Sequence, residues 1–121
     1  MGKKVLVIDD DLVSGVLMKS RLTKAGYEVS RAINGEQGLN AVQADPPALI
    51  ILDVEMPEMN GYTFVVEIQK FNKFKDIPVI VLTAHEENRK IFARKGISNY
   101  LLKPVDFDVL LGLMEKLLAR V

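Results

Sequence analysis

Residues 4–17 read KVLVIDDDLVSGVL, a stretch whose hydrophobic period changes halfway along. Its continuous apolar run, Val5–Ile8, is typical of a strand that is buried on both faces of a sheet. From Leu12 onward the apolar residues recur at helical spacing, and Asp11 directly before them is a favourable N-cap. A buried strand that leads straight into a helix predicts a β/α unit. The predicted stripe of this first helix consists of Leu12, Val13, Val16, Leu17 and Leu22.

The same alternation continues to the C-terminus, with Gly26 as the predicted stop of the first helix. Further strands are predicted at Tyr27–Ala32, Ala48–Leu52, Val79–Leu82 and Asn99–Leu102. Further helices are predicted at Asn34–Ala44, Tyr62–Phe71, Glu86–Lys95 and after the cap Asp106, with a last stripe of Leu110, Met114, Leu117, Leu118 and Val121. Five such units with short connections predict an α/β fold: a doubly wound, five-stranded parallel sheet flanked by five helices.

The composition of the chain argues against several classes of function. The chain has 121 residues, no cysteine, and 16 basic residues that balance 16 acidic ones. This length suits a single domain, predicted to cover residues 1–121. The zero formal net charge argues against direct, charge-driven binding of nucleic acid. The lack of cysteine excludes disulfides and thiolate chemistry, and no apolar run approaches the ~20 residues of a membrane helix, so no membrane partner is expected.

Polar residues follow four of the five predicted strands. They are Asp9, Asp10 and Asp11 after the first strand, Asp53 after the third, Thr83 after the fourth and Lys103 after the fifth. In parallel α/β sheets, sites collect at the carboxyl ends of the strands, so these side chains should converge. Clustered carboxylates repel one another, and Mg²⁺ relieves that repulsion. An aspartate beside a metal ion and an ammonium group is placed for phosphoryl transfer, which depends on positioning and charge neutralisation.

Four motifs in chain order resemble those of a known family. They are Val7-Ile8-Asp9-Asp10, Leu52-Asp53-Val54-Glu55-Met56-Pro57-Glu58-Met59-Asn60-Gly61, Thr83-Ala84 and Tyr100-Leu101-Leu102-Lys103-Pro104. Together they resemble the receiver domain of bacterial two-component response regulators, including those of chemotaxis, over nearly the whole chain. The resemblance implies a flavodoxin-like sheet with strand order 2-1-3-4-5.

The resemblance also implies a phosphoacceptor and a metal site. Asp53 is the expected phosphoacceptor, and Lys103 is expected to pair with the phosphoryl group. Mg²⁺, which Mn²⁺ can replace, would be held by Asp9, Asp10, Asp53 and the main-chain carbonyl of Glu55. One of the first two aspartates would bind the metal directly and the other largely through water.

A switch and a tuning function are implied in the same way. Thr83 would move toward the phosphoryl group while Tyr100 turns inward behind it, a population shift that the new charge biases. Glu55 and His85 occupy positions that tune dephosphorylation in relatives. The bond Lys103–Pro104 is expected to be cis.

These implied roles describe a phospho-switch in the cytoplasm. It would accept a phosphoryl group from a histidine kinase or a histidine phosphotransfer protein and then bind an unidentified downstream protein differently. It would be a monomer or a weak phosphorylation-dependent dimer, and no multiple-turnover enzyme. Two alternatives stay open: a phosphorylation-independent interaction module with the same fold, and a magnesium-dependent phosphatase with an aspartyl nucleophile and Glu55 as its acid.

One segment departs from the family pattern. Only 20 positions separate Thr83 from Lys103, fewer than is usual in relatives, and this region often forms their output or dimer surface. The resemblance therefore supports the acceptor chemistry and leaves the output surface open. Because the sequence ends after the fifth helix, we expect either a stand-alone receiver that acts by binding partners or a fragment of a longer protein.

Overall fold

The computed structural model describes residues 2–54 and 60–119. Five parallel strands form one sheet in the order β2-β1-β3-β4-β5, which confirms the predicted topology. The strands are β1 (Lys4–Ile8), β2 (Glu28–Ala32), β3 (Leu49–Asp53), β4 (Val79–Thr83) and β5 (Tyr100–Leu102). Four of the five residues of β1 and β3, and all five of β4, are buried, as expected for strands covered on both faces.

In the described ranges, five α-helices connect and flank the strands. They are α1 (Leu12–Lys24), α2 (Gly35–Ala44), α3 (Asn60–Ile68), α4 (Arg89–Ala93) and α5 (Phe107–Leu118). The predicted caps are confirmed for α1 and α5, because Asp11 accepts from the Ser14 amide and Asp106 from two amides of the first turn of α5. Gly26 follows α1 with a φ of 104°, a left-handed conformation that glycine adopts at little cost.

Two helices are shorter than predicted. The helix predicted at Tyr62–Phe71 ends at Ile68. Beyond it the amides of Lys70 and Phe71 bond three positions back, and the chain turns to bury Phe74. The helix predicted at Glu86–Lys95 is split into a 3₁₀ turn, Glu86–Asn88, and the five-residue α4. The backbone of His85, the residue before this turn, is extended. Its amide bonds the Thr83 hydroxyl oxygen and its carbonyl accepts from the Tyr100 hydroxyl.

The core consists of two layers, one on each side of the sheet. One layer joins alternate residues of β1, β3 and β4 to buried residues of α2, α3 and α4, Phe64 and Phe92 among them. The other layer joins the intervening strand residues to α5 through Leu110 and Met114, and to α1 through Leu22. No helix in the described ranges is long and apolar enough to span a bilayer.

The stripe predicted for α1 does not face the sheet. Leu12, Val13, Val16 and Leu17 are 66, 65, 52 and 57% exposed, and of the predicted stripe only Leu22 is buried. The helix instead turns Gly15, Met18 and Leu22 inward, a set that lies on another face at helical spacing. The physical reason is the close approach of β2 to α1 at Gly15, which orients the helix.

Candidate functional site

Strands β1 and β3 place two carboxylates side by side. Ile8 is in register with Leu52, so the next residues, Asp9 and Asp53, lie next to each other at the carboxyl edge of the sheet. Asp9 is 3% exposed, and the Asp53 side chain is 6% exposed. The sequence prediction that these two acids converge is therefore matched by the geometry.

The segment after β5 brings a cation to this pair. The Nζ of Lys103 lies 2.7 Å from Oδ1 of Asp53, and both side chains are largely buried. The Lys103 amide donates to the Thr83 carbonyl at 2.8 Å, which continues the pairing of β5 with β4 to the edge of the site. The Lys103–Pro104 peptide bond is cis, as expected.

The electrostatics of the site favour an additional cation. The pKa of the Asp53 carboxyl is raised to about 7, mainly by burial; the Lys103 ammonium opposes this rise and the Asp9 carboxylate adds to it. One ammonium group thus does not compensate two neighbouring buried carboxylates. A hard divalent ion with oxygen ligands fits this donor set.

The two other aspartates of the triplet play different parts. Asp11 accepts from the amide and the hydroxyl of Ser14, bonds that hold the pKa of its carboxyl below the usual range. Its own amide donates to Oδ1 of Asp9 at 2.8 Å, which fixes that carboxylate against the start of α1. Asp10 is exposed between them. Asp11 is therefore a cap, as predicted, and Asp10 is the side chain left facing outward.

The predicted third ligand group, the carbonyl of Glu55, lies outside the described residues. Among residues 2–54 and 60–119, no three acidic, histidine or cysteine side chains come close enough to form a metal site by themselves. Mg²⁺ commonly keeps several waters and needs only one or two protein carboxylates. The pair Asp9 and Asp53, with Asp10 at the rim, meets that lower requirement.

Thr83 and Tyr100 are joined through the main chain of His85. The His85 amide donates to Oγ1 of Thr83 at 3.1 Å, and the Tyr100 hydroxyl donates to the His85 carbonyl at 2.5 Å. Tyr100 points inward and is 6% exposed, with the Arg89 guanidinium 4.6 Å from its ring centroid. Sequence reasoning paired Thr83 with Tyr100 but missed this link, because it is made by backbone atoms.

The imidazole of His85 lies apart from this network. Its Nδ1 is 3.6 Å from a carboxylate oxygen of Glu87, and its side chain is 43% exposed. The tuning function predicted for the His85 side chain therefore stays a prediction, while the backbone of the same residue has a structural role.

A pocket of about 250 Å³ opens beside the acidic pair, between α1 and the segment that leads into α5. Asp53 and Lys103 line its inner end, and Leu17, Met18 and Val105 form apolar walls. The Arg21 guanidinium stacks 4.2 Å from the Phe107 ring centroid in the same wall. The predicted acceptor is thus reachable from the outer surface of α1.

Two residues of this region were missed by sequence reasoning. Gly15 is buried against the side chain of Arg31, which reaches over from β2. The available signal was a single glycine inside an otherwise regular helical pattern, which usually has a packing reason.

Comparison with known proteins agrees with this geometry. The family model described as the response regulator receiver domain matches residues 5–115. Protein PilH of Pseudomonas aeruginosa is 31% identical over 96% of this chain and 98% of its own length. The probable transcriptional regulator ycf27 of Cyanophora paradoxa is 37% identical over 98% of this chain, which spans about half (49%) of that regulator's length.

One solved structure of similar fold is a complex with magnesium. The response regulator TrrA of Thermotoga maritima, in complex with Mg²⁺ and BeF, has a TM-score of 0.83 and 36% identity. The match covers 95% of this chain and 98% of that one. The fold, the strand-end residues and the matched family model show that this chain belongs to the response regulator receiver domains of two-component signalling.

Proposed function

We propose that Asp53 accepts the phosphoryl group that this receiver domain takes from a phosphohistidine donor. The observation that carries the proposal is the buried ion pair between Asp53 and Lys103, 2.7 Å long, beside a second buried carboxylate, Asp9. Buried charge that is not fully paired costs stability, so two buried acids beside one lysine are better explained by function than by packing. Phosphoryl transfer uses this set of groups.

In the proposed reaction a carboxylate oxygen of Asp53 attacks phosphorus in line with the bond to the donor's imidazole nitrogen. The oxygen–phosphorus bond forms as the nitrogen–phosphorus bond breaks, and the imidazole leaves with the electron pair of that bond. The Lys103 ammonium neutralises charge on the phosphoryl oxygens. The Thr83 hydroxyl, whose oxygen now accepts from the His85 amide, donates to one of those phosphoryl oxygens once it turns toward them.

Asp9 and Asp53, with Asp10 at the rim, would hold Mg²⁺, and the carbonyl of Glu55 remains the predicted further ligand. Bound there, the ion would offset the negative charge that gathers on the carboxylates and the phosphoryl oxygens. Mn²⁺ belongs to the same proposal as a substitute, because it accepts the same oxygen ligands.

The link from Thr83 to Tyr100 is the proposed route to the output. If the Thr83 hydroxyl moves to donate to a phosphoryl oxygen, the bond that its oxygen accepts from the His85 amide shifts with it, and the carbonyl of His85 holds Tyr100. Phosphorylation would therefore bias the conformations of the segment after β4. A downstream protein would bind the surface that this segment forms.

The exposed apolar face of α1 supports a protein as the phosphodonor. Val16 and Leu17 are more than half exposed, and Leu17 also lines the pocket that reaches Asp53. A donor that covers this face is therefore held next to the acceptor. An apolar helix bearing an exposed phosphohistidine, as in a histidine kinase or a phosphotransfer protein, fits this surface.

The two alternatives predict different chemistry. A phosphorylation-independent interaction module has no use for a buried Asp53–Lys103 pair. A phosphatase would turn over external phosphomonoesters, whereas the proposed receiver takes up one phosphoryl group and is no multiple-turnover enzyme. Its cytoplasmic location, where ATP-dependent kinases supply the donor, is part of this proposal.

The test is phosphorylation by acetyl phosphate and Mg²⁺, followed by intact mass. We expect one phosphoryl adduct that is acid-stable and base-labile, absent from Asp53→Asn and absent with chelator. The matched control is Asp76→Asn, which changes an exposed acid at the opposite end of the sheet and should be phosphorylated like the wild type. No adduct with any donor would support the interaction module, and rapid hydrolysis of many phosphomonoesters would support the phosphatase.

A further inference from the structure

The contact between α1 and β2 is unusually close. Gly15 is buried inside α1, and a Cβ at this position would lie 2.0 Å from Nε and 2.7 Å from Cζ of Arg31. The guanidinium therefore lies directly on the Gly15 backbone. Glycine inside a helix lowers stability by roughly 1 kcal/mol relative to alanine. The helix α1 is therefore less stable at the position where Arg31 approaches it than it would be with alanine there.

Arg31 reaches past Gly15 to the loop that carries the metal-ligand candidates. Its Nη2 lies 3.4 Å from the main-chain oxygen of Asp9 and 3.3 Å from that of Asp11, and it donates to both. Its Nε is buried, with no hydrogen-bond partner within the described part of the chain. Among the residues that the structure describes, the hydrogen bonds of this cation go to the loop backbone and to no carboxylate side chain.

Those two carbonyls lie on either side of Asp10. The loop is also held by the Asp11 amide on the Asp9 carboxylate, by the Asp9 amide on the Ala32 carbonyl and, at its end, by the Gly15 amide on the Asp11 carbonyl. Of the two peptide groups that flank Asp10, the one before it is held by Arg31 through the Asp9 carbonyl, and the one after it by the Asp11 amide on the Asp9 carboxylate. Arg31 also bonds the next carbonyl, that of Asp11. Arg31 thus restricts the direction of the Asp10 side chain together with the bond from the Asp11 amide to Asp9.

We propose that Arg31 is a positioning residue. It holds the loop from Asp9 to Asp11 so that the carboxylates of Asp9 and Asp10 are oriented for Mg²⁺ before the ion binds. This inference rests on the proposed function, because it concerns the same site. It assigns to β2, which supplies no ligand, control over the affinity of the metal. Groups that orient metal ligands typically change metal affinity by 10–100-fold when they are removed.

The charge of Arg31 acts in the opposite direction from its proposed positioning role. A guanidinium near two acids repels a divalent cation, so loss of this charge alone would tighten Mg²⁺ binding. Loss of the Arg31 bonds to the loop weakens binding, because the loop must then be ordered by the ion itself. Variants that separate charge from geometry decide which effect dominates.

Three variants of the full chain make that separation. Arg31→Lys keeps the charge but loses the planar guanidinium, whose Nε side lies on Gly15 while its Nη2 donates to both carbonyls. Gly15→Ala keeps Arg31 and displaces it, because the new Cβ overlaps the guanidinium. Arg31→Gln removes both the charge and the guanidinium. Lys24→Gln, an exposed change of the same charge at the far end of α1, is the matched control.

The measurement is the Mg²⁺ dissociation constant by isothermal titration calorimetry, together with thermal unfolding of each variant. We expect Arg31→Lys and Gly15→Ala to bind Mg²⁺ about tenfold more weakly than the wild type, while Lys24→Gln binds normally. At saturating Mg²⁺, both variants should be phosphorylated by acetyl phosphate at close to the wild-type rate. A general structural defect would keep the rate low even at saturating Mg²⁺.

Wild-type Mg²⁺ affinity in Arg31→Lys would overturn the inference, as would tighter binding in Arg31→Gln. If Gly15→Ala unfolds, Arg31→Lys decides alone, because it adds no atom to the interface. A wild type that binds no Mg²⁺ would instead contradict the proposed metal site itself, so the two failures are distinguishable.

Discussion

Helices α1 and α5 pack on the same face of the sheet, yet they use their apolar residues in opposite ways. In α5, Leu110 and Met114 are fully buried. In α1, Leu12, Val13, Val16 and Leu17 are exposed. Gly15, Met18 and Leu22 make the contact instead. The difference indicates that α5 holds the fold together, whereas the start of α1 is shaped by the site and by what binds there.

The largest expected effect on stability belongs to α5. Leu110→Ala removes a fully buried side chain, and we expect the free energy of unfolding to fall by about 2–5 kcal/mol. Urea denaturation followed by circular dichroism measures this. The control is Val109→Ala on the exposed side of the same helix, with an expected change within about 0.5 kcal/mol. Equal losses in the two variants would break the comparison.

An intermediate effect of opposite sign is expected at the site. The folded-state pKa of Asp53 is about 7 and the ordinary value 3.8, so in metal-free protein stability is lost as pH rises from about 4 to about 7. Asp53→Asn removes that loss. We expect the variant to be about 1–2 kcal/mol more stable than the wild type near pH 8, and the difference to disappear near pH 4.

Denaturation with chelator at the two pH values measures the effect of Asp53→Asn, and Asp76→Asn is the control. Added Mg²⁺ should stabilise the wild type but not Asp53→Asn to the same extent, since ligands stabilise the state that binds them. A variant less stable than the wild type near pH 8 would mean that Asp53 is a structural residue and not a strained functional one.

The smallest effect on stability is expected on the exposed face of α1. Changing Val16 and Leu17 to Gln keeps helix-forming side chains on the surface, so unfolding should shift by no more than about 0.5 kcal/mol per site. Transfer from an autophosphorylated histidine kinase should nevertheless slow at least fivefold, about 1 kcal/mol of lost contact. Phosphorylation by acetyl phosphate, which needs no docking surface, should be unchanged.

The matched control for the α1 double variant is Leu102→Gln. Leu102 is an exposed apolar residue that shares a sheet face with Tyr100, opposite to the face on which α1 packs. The donor is a histidine kinase of the source organism. It is chosen by comparing how fast the autophosphorylated kinases transfer their phosphoryl group to the wild type. Unchanged kinase transfer in the double variant would remove α1 from the proposed docking surface.

The strand-end residues could be predicted because they follow from a general rule. Buried runs such as Val5–Ile8 identify parallel strands, and parallel strands bring their last residues together. Asp9, Asp53 and Lys103 meet for this reason, at positions that the sequence shows directly. The same rule says nothing about how a helix rotates about its own axis.

The rotation of α1 is where sequence reasoning was wrong. A helical stripe that includes Leu12 and Leu17 normally marks the buried face. Here the buried face is decided by Arg31, a residue of another strand whose side chain needs the space above Gly15. Such a contact joins two positions that only the tertiary structure brings together. The link from Thr83 to Tyr100 escaped prediction for a related reason, since main-chain atoms of His85 make it.

Strand β5 also bears on how copies of this chain meet one another. It forms one edge of the sheet and is three residues long. Pro104, which has no amide hydrogen to donate, follows Lys103 directly. Short edge strands and prolines disfavour the pairing of one sheet edge with another. Because the formal net charge is zero, charge repulsion gives little protection against aggregation, and the short, proline-ended edge provides it instead.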